Sequence, residues 1–504
     1  MKALKHLFSD TLIYGISSVL ARFINYLLVP LHTGLFNPEA YGVVGLVYAA
    51  IGLLQVVFTF GMESSYLRYG KEDNKTANLF STIQRLLILI SLVLTVLLWL
   101  AYDPIAEWLS LSALPAHPIS GLDGGAIFVF MLAILVTDAL AIVPFAELRL
   151  RSRAMTFAGI KLVNVLVNLG LNVLLILAMG WGIEAIFAAN FAASLVSLLL
   201  VFVVTRSLWM GAWSAESVGM LFLFAWPFIP SGLAHVVNET LDRFFLKSLD
   251  AQQIMAIYGF DWSADYLVGI YNACYKLAVF MLLLVQMYRM AWQPFFMRES
   301  EGKQAPELFA KAFNYFNIGA ATVFLFVALF LQWIVAIPIP FLGTTLIDQA
   351  YWSGLGIVPW LLMAYWFQGW YVNFSAGVFI KEKTKRLAQI TGVGAVVTIV
   401  LNLLLIRTLG MEGAALATLG SYGVMAFLLY RYSQQAMFIP YNMLRNILTM
   451  ILSLGLVLLI NQGHLYEEGL NFWLTVGIFL MSVLGVVSIQ TGLFGYWNKK
   501  NPTT

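Results

Sequence analysis

Apolar stretches of about 20 residues follow one another from Phe8 to about Gln490 with only short polar breaks. That succession leaves lipid as the main solvent of the fold, because a helix crossing the hydrocarbon core needs roughly 20 predominantly apolar residues. With 61% of its residues hydrophobic and 11% charged, the chain cannot build a water-facing surface, and no soluble domain fits between the runs. The reading is an all-α polytopic membrane protein of about fourteen transmembrane helices. They are placed at 9–33, 40–66, 80–101, 125–146, 156–178, 183–205, 218–247, 264–290, 311–333, 353–379, 388–408, 412–434, 441–461 and 468–490. Lys2 and Lys5 precede an apolar run that continues past Leu28 without a small-residue cleavage pattern, so this run is expected to be a retained first helix.

The connections alternate in charge. Arg68, Lys71 and Lys75, then Arg149, Arg151 and Arg153, then Arg298 and Lys303, then Lys381, Lys383, Lys385 and Arg386, and finally Lys499 and Lys500 fall on one side. Loops such as Asn37 to Ala40, Tyr102 to Gly124 and Glu467 to Glu468 carry acids or no charge. Of the 28 Lys and Arg residues, only Arg22, Arg243, Lys247, Lys276 and Arg407 escape the first side, which the positive-inside rule makes cytoplasmic together with both termini. The net charge of +3 gives no footprint for nucleic acid. The lone cysteine, Cys274, excludes a disulfide framework or thiolate cluster within the chain. No Gly-Lys-Ser or Gly-Lys-Thr phosphate loop, no metal spacing among the five histidines and no Gly-x-Ser-x-Gly elbow occurs, so no catalytic or metal site is expected.

An internal repeat organises the chain. The run Asn172 to Gly180 (NVLLILAMG) returns 230 residues later as Asn402 to Gly410 (NLLLIRTLG), and Tyr41-Gly42 answers Val268-Gly269 at an offset of 227. Helix one, with Arg22 and Pro30, more weakly matches helix seven, with Pro227, Pro230 and Arg243. Two six-helix lobes, 1–205 and 206–435, followed by two additional helices and a tail in 436–504, are the expected organisation. Parallel repeats of this kind bind substrate between the halves and expose it to each side in turn.

Ionisable groups within the spans are expensive and commonly mark a pathway. Arg22 and Lys276 fall near the middles of helices one and eight without a local acid. His235, Asn238, Glu239, Asp242 and Arg243 share one face of helix seven, and Glu63, Arg68 and Arg289 lie near the cytoplasmic ends of helices two and eight. Together they suggest a cationic ladder, with Arg68 and Arg289 low, Arg22 and Lys276 midway, Arg243 higher, and Glu239 and Asp242 tempering the charge. The competing reading is that Glu239 and Arg243, spaced i, i+4 with the acid first, neutralise each other, and that Arg68 and Arg289 are ordinary anchors. Asn164, Asn168 and Asn172 form a stripe on helix five that suits interhelical hydrogen bonding. Asp138, in the middle of helix four, is a candidate for H+ or Na+ coupling or for a buried protonated carboxyl.

These residues point to a family. Thr11 to Gly15, Val29-Pro30-Leu31 and Asn37 to Gly42 (NPEAYG) resemble the first hairpin of the polysaccharide biosynthesis flippases of the multidrug, oligosaccharidyl-lipid and polysaccharide (MOP) exporter superfamily. The likeness continues in Pro227 to Gly232 leading to Asp242-Arg243-Phe244, in Gly269 to Tyr271 with Tyr275-Lys276-Leu277, and in Gln286, Arg289 and Pro294 to Phe296, spanning about residues 8–435. The connection from about Asp250 to Asp265 is longer than the family pattern. The resemblance implies a bacterial inner-membrane flippase, not an enzyme, moving undecaprenyl-pyrophosphate-linked oligosaccharide for polysaccharide or O-antigen export. Arg22, Asn25, Arg68, Asn238, Arg243, Lys276 and Arg289 would line its substrate cavity, and Glu63, Asp138, Glu239 and Asp242 would serve gating or ion coupling. It implies no cofactor beyond H+ or Na+, and partners limited to lipids, the lipid-linked substrate, a polysaccharide polymerase and glycosyltransferases. Two alternatives stay open: a cation-coupled drug or metabolite exporter of the same superfamily, and a membrane glycan polymerase or glycosyltransferase, against which the short outer loops argue.

Overall fold

The computed structural model describes residues 26–70, 76–302, 304–381, 383, 385–462 and 471–491. Arg22 and Asn25, and most of the predicted first helix, lie outside the described residues. The chain forms two compact units, residues 1–272 and 273–504.

In the first unit, α1 (Leu28–Leu35) leads to α2 (Pro38–Thr59). Asn37 starts α2 because its side chain accepts the Ala40 N–H at 2.9 Å while Pro38 occupies the first turn, where a missing N–H costs nothing. The predicted helix two breaks at Phe60-Gly61, both with positive φ, and resumes as α3 (Met62–Tyr69). Then come α4 (Thr76–Leu100), α5 (Tyr102–Trp108), α6 (Gly124–Leu150, capped by Asp123), and α7 (Ala154–Val173), which ends in a π turn over Leu174–Ala178. After these follow α8 (Glu184–Trp209), α9 (Ala215–Ala225) and α10 (Phe228–Lys247). Pro227 and Pro230 divide the predicted helix seven, and α9 and α10 meet at a bend of 40°. The long connection after it carries α11 (Ala251–Tyr258), held by a capping box between Asp250 and Gln253. α12 (Ala264–Tyr275) begins in the first unit and runs through a 3-10 turn at Lys276–Ala278 into α13 (Val279–Glu299) of the second. In the first unit α6 packs on α8, α7 on α8, and α2 on both α6 and α10.

The second unit continues with α14 (Ala305–Leu329) and α15 (Leu331–Val335). A two-stranded antiparallel hairpin, β1 (Pro338–Ile339) with β2 (Thr344–Thr345), departs from the all-helical expectation; Gly343, at φ +66°, lies in its tight turn. A 3-10 segment over Gln349–Ile357 then leads into α16 (Val358–Ile380), followed by α17 (Lys385–Ala436), α18 (Met443–Gln462) and α19 (Phe472–Thr491). α17 is two helices meeting at Gly410. α16 packs on α17 and α13, whereas α18 and α19 pack on α14.

Among the described residues ten helices are long and apolar enough to cross a membrane, or eleven if α9 and α10 form one span. α16 is not among them, because its Trp, Tyr, Gln and Asn residues dilute its hydropathy. The observed class is thus an all-α polytopic fold with ten or eleven such helices rather than a demonstrated fourteen.

The repeat has a structural counterpart. Asn172 and Asn402 are both buried, and each donates to the carbonyl four residues earlier, Asn168 at 2.9 Å and Thr398 at 2.7 Å. Eight residues later in each copy, Gly180 and Gly410 stand at φ +68° and +57°, the left-handed region that turns one helix back on the next.

Candidate functional site

Five helices of the first unit line a polar cavity of about 390 Å³. α6 contributes Asp138, Phe145 and Arg149, which recur at i, i+7 and i+11 and so share one face. α7 adds Lys161 and Asn164, α8 adds Asn190, Ser194 and Ser197, and the broken α2 and α3 add Gln55 and Glu63. Glu63 forms an ion pair with Arg149, and both side chains keep about a third of their exposure. Asp138 hydrogen-bonds Ser194. Asn164 donates to Ser197 Oγ at 2.9 Å, and Asn190 donates to the Tyr48 hydroxyl at 2.8 Å. The Lys161 ammonium sits 4.3 Å from the centre of the Phe145 ring, a cation–π distance. The buried Gln55 Oε1 has no hydrogen-bond partner among the described residues.

Two acids and two bases line this space, so its charges balance. A pyrophosphate would meet Glu63 and Asp138 as well as the cations, and like-charge contact in a small cavity is costly. A proton asks for less, because a carboxylate and an ammonium facing one water-accessible space can exchange it without a net ion being buried.

The sequence-predicted residues divide between several places. Glu63 and Asp138 come together in the cavity, joined by Asn164, whose bond to Ser197 is also the interhelical bond expected of the asparagine stripe. Farther along that stripe, Asn172 Oδ1 accepts from His32 Nε2 at 3.0 Å and ties α7 to α1. Asn238, Asp242 and Arg243 are buried on α10, and Glu239 is half-buried there. Arg243 Nη1 donates to Asp242 Oδ1 at 2.8 Å and to the Glu239 carbonyl at 2.9 Å. Tyr271 donates to the other Asp242 oxygen at 2.5 Å, with its ring centre 5.7 Å from the guanidinium. The expected Glu239–Arg243 neighbourhood therefore exists through the Glu239 backbone, while the carboxylate at 2.8 Å is Asp242. Arg68 is exposed at the end of α3. In the second unit, Lys276 is half-buried at the 3-10 turn and Arg289 is exposed on α13.

The sequence assigns none of Arg149, Lys161, Gln55, Asn190, Ser194 and Tyr271 to the site; Arg149 figures there only as a loop cation and Tyr271 only in the family pattern. Arg149 and Lys161 look like cytoplasmic anchors, yet a signal existed: Lys161 continues the Asn164, Asn168, Asn172 stripe by three residues and so shares its face. Among the described residues no group of three or more His, Cys, Asp or Glu side chains is placed to hold a metal ion.

The fold is one shared with solved membrane transporters. A structure titled lipid II flippase MurJ, inward closed conformation, matches 98% of this chain and 100% of its own at TM-score 0.67 and 13% identity. An inward-facing multidrug resistance MATE family transporter of the MOP superfamily matches 84% of this chain and 94% of its own at 0.61 and 15%. A MOP superfamily transporter from Pyrococcus furiosus matches 86% and 95% at 0.51 and 15%. At these identities the likeness is one of fold. No curated protein matches the sequence. The family model described as polysaccharide biosynthesis protein matches residues 7–299, more than half of the chain, and the chain belongs to that family.

Proposed function

We propose that this protein is a flippase that carries undecaprenyl-pyrophosphate-linked oligosaccharide from the cytoplasmic to the outer leaflet for polysaccharide or O-antigen export. The observation that carries the reading is membership of the polysaccharide biosynthesis family. The fold shared with a lipid II flippase along nearly the whole chain supports it.

A pyrophosphate cannot cross hydrocarbon bare, and Arg and Lys provide the charge-assisted hydrogen bonds that replace its water. Arg22, Asn25, Arg68, Asn238, Arg243, Lys276 and Arg289 are the proposed substrate contacts. Arg243 comes already compensated by Asp242, so its part is as a hydrogen-bond donor more than as a net charge. An inside-negative potential would assist outward movement of negative charge by about 2.3 kcal/mol per charge per 100 mV. Asp138 and Lys161, with Glu63 and Arg149 beside them, are proposed to exchange the coupling proton; Glu239 and Asp242 are proposed to temper the cationic path. Fourteen spans in two alternating six-helix lobes, 1–205 and 206–435, with 436–504 appended and both termini cytoplasmic, complete the proposal. A polysaccharide polymerase and glycosyltransferases would supply and consume the substrate.

The test is transport of a lipid-linked oligosaccharide by the full chain in liposomes, read by enzymatic access to the sugar on the far side. Arg22→Gln and Lys276→Gln should each slow flipping by about tenfold, one lost charge-assisted contact of about 1.4 kcal/mol, at unchanged protein abundance. Arg243 is changed together with its partner, as Asp242→Asn with Arg243→Gln, because removing one member of a buried pair alone costs about 3 to 5 kcal/mol of stability. Normal flipping in all three would end the cationic path. Drug efflux without sugar flipping would favour the exporter reading, and joining of sugar units by the purified protein would favour an enzyme.

A further inference from the structure

The beginnings of α2 and α12 cross with almost no space between their backbones. A Cβ placed on Gly42 would lie 1.9 Å from the Asp265 carbonyl oxygen, and one placed on Gly269 would lie 1.7 Å from the Pro38 carbonyl oxygen. Gly45 likewise faces Asn272, with a Cβ 3.1 Å from its side-chain carbon. Pro38, Gly42 and Gly45 stand 227 residues before Asp265, Gly269 and Asn272, the offset of the internal repeat, so the approaches of Gly42 to Asp265 and of Gly269 to Pro38 are one contact with the two copies exchanged. The contact is therefore self-complementary: what copy one does to copy two, copy two does to copy one, as at a two-fold interface. Only glycine at both positions permits such an approach.

A polar rim closes over the crossing. Lys247, at the end of α10, reaches both Asp265 carboxylate oxygens at 2.7 and 2.8 Å. Ser110, just past α5, donates to Asp265 Oδ2 at 2.6 Å, and Lys247 also donates to Ser110 Oγ at 2.5 Å. Ser263 donates to Glu39 at 2.7 Å across the start of α2. Every one of these groups belongs to connections or helix ends that the charge pattern puts outside.

We propose that the Gly42–Gly269 crossing, latched by Lys247, Asp265 and Ser110, is the outer gate of the transporter, shut in this structure, and that it parts to release the sugar-pyrophosphate head. This rests on the flippase reading. The physical case is the division of labour between seam and latch. Where Gly42 meets Gly269 the approach is backbone against backbone, with no side chain of either residue to withdraw. The latch is made of groups that exchange protein partners for water readily once exposed. A contact of this kind opens as a unit, whereas a fixed pivot would be held by interlocked apolar side chains.

The test uses the full-length protein with Glu39→Cys and Ser263→Cys; the native Cys274 is buried and stays out of the reaction. Mild oxidation with copper phenanthroline should join the two new thiols. Flipping should then fall by about tenfold or more and return on reduction, as for a gate whose opening every turnover requires. A cross-linked protein that flips at the uncrosslinked rate would make the crossing a pivot and overturn the proposal, as would labelling of Glu39→Cys by an impermeant maleimide only from the cytoplasmic side. A readout that needs no glycan is the reactivity of Asn272→Cys toward the same maleimide. It should rise severalfold in Lys247→Gln, where the latch is weakened, and stay at the unmodified level if the latch holds nothing shut. A gate that opens by this measure in a protein that flips no lipid-linked sugar would retain the gate and discard the substrate.

Discussion

The two units treat the same residue type in opposite ways. In the first, Asn164 and Asn190 line a cavity beside Asp138, Lys161 and the Glu63–Arg149 pair. In the second, Asn317 and Asn373 are buried completely inside an aromatic knot. Asn317 Oδ1 accepts from the Trp366 and Trp370 indoles at 2.8 and 2.7 Å, and its Nδ2 donates to the Phe313 carbonyl at 2.8 Å. Asn373 accepts from the Tyr288 hydroxyl at 2.6 Å and donates to the Gly369 carbonyl at 2.9 Å. In the knot rigid indoles hold the amide, so it can do little but bind helices together. In the cavity the amides share space with charges that have room for water, so the polar groups there can change partners. The first unit thus carries a cavity able to respond to charge, and the second a stiff aromatic cluster.

That contrast is most severely tested at Asn317. Asn317→Ala strands two buried indole N–H groups, and each unsatisfied donor costs about 1 to 3 kcal/mol, so a loss of roughly 4 kcal/mol is expected. Thermal unfolding in detergent would measure it against Asn164→Ala, which should cost about 1 kcal/mol at the cavity edge. Equal losses would erase the distinction. Next in size, Asp138→Asn should slow the proposed proton-driven flipping by about tenfold and abolish its response to an imposed pH gradient while stability changes by less than about 1 kcal/mol. A variant that still follows the gradient would remove Asp138 from coupling.

Two smaller effects sharpen the picture. Gly180→Ala and Gly410→Ala should each cost about 1 kcal/mol, because a Cβ is strained at positive φ. Similar costs in the two variants, read as shifts in unfolding temperature, are the mark of equivalent turns; a cost at one site alone would leave the repeat without mechanical equivalence there. The smallest effect belongs to the Glu63–Arg149 pair. Its side chains, about a third exposed, should show a coupling of about 0.5 to 1 kcal/mol in a cycle of Glu63→Gln, Arg149→Gln and the double variant. A coupling several times larger would mean that the pair is a structural clamp.

The helices were legible because apolar period and length are local properties, and even the breaks had local signs in Pro227, Pro230 and Gly410. Charge placement was read less completely. Arg149 and Lys161 adjoin loops that the charge pattern assigns to the cytoplasm, so their positions along the chain match the positive-inside pattern and conceal that both side chains turn into a cavity. Arg243 showed the reverse problem. Spacing along one helix suggested Glu239 as its acid, whereas the compact geometry brings it to Asp242 and recruits Tyr271 from 28 residues away in sequence.

By itself the sequence determined that this chain is an all-α polytopic membrane protein with internal likeness along its length, since both follow from composition, periodicity or self-similarity along one dimension. Tertiary structure alone decided which charges share a cavity, which asparagines are locked by indoles, and that Gly42 lies on Gly269. Those facts depend on the distance between segments far apart in the chain, and a few ångströms there separate a buried ion pair from a reactive one.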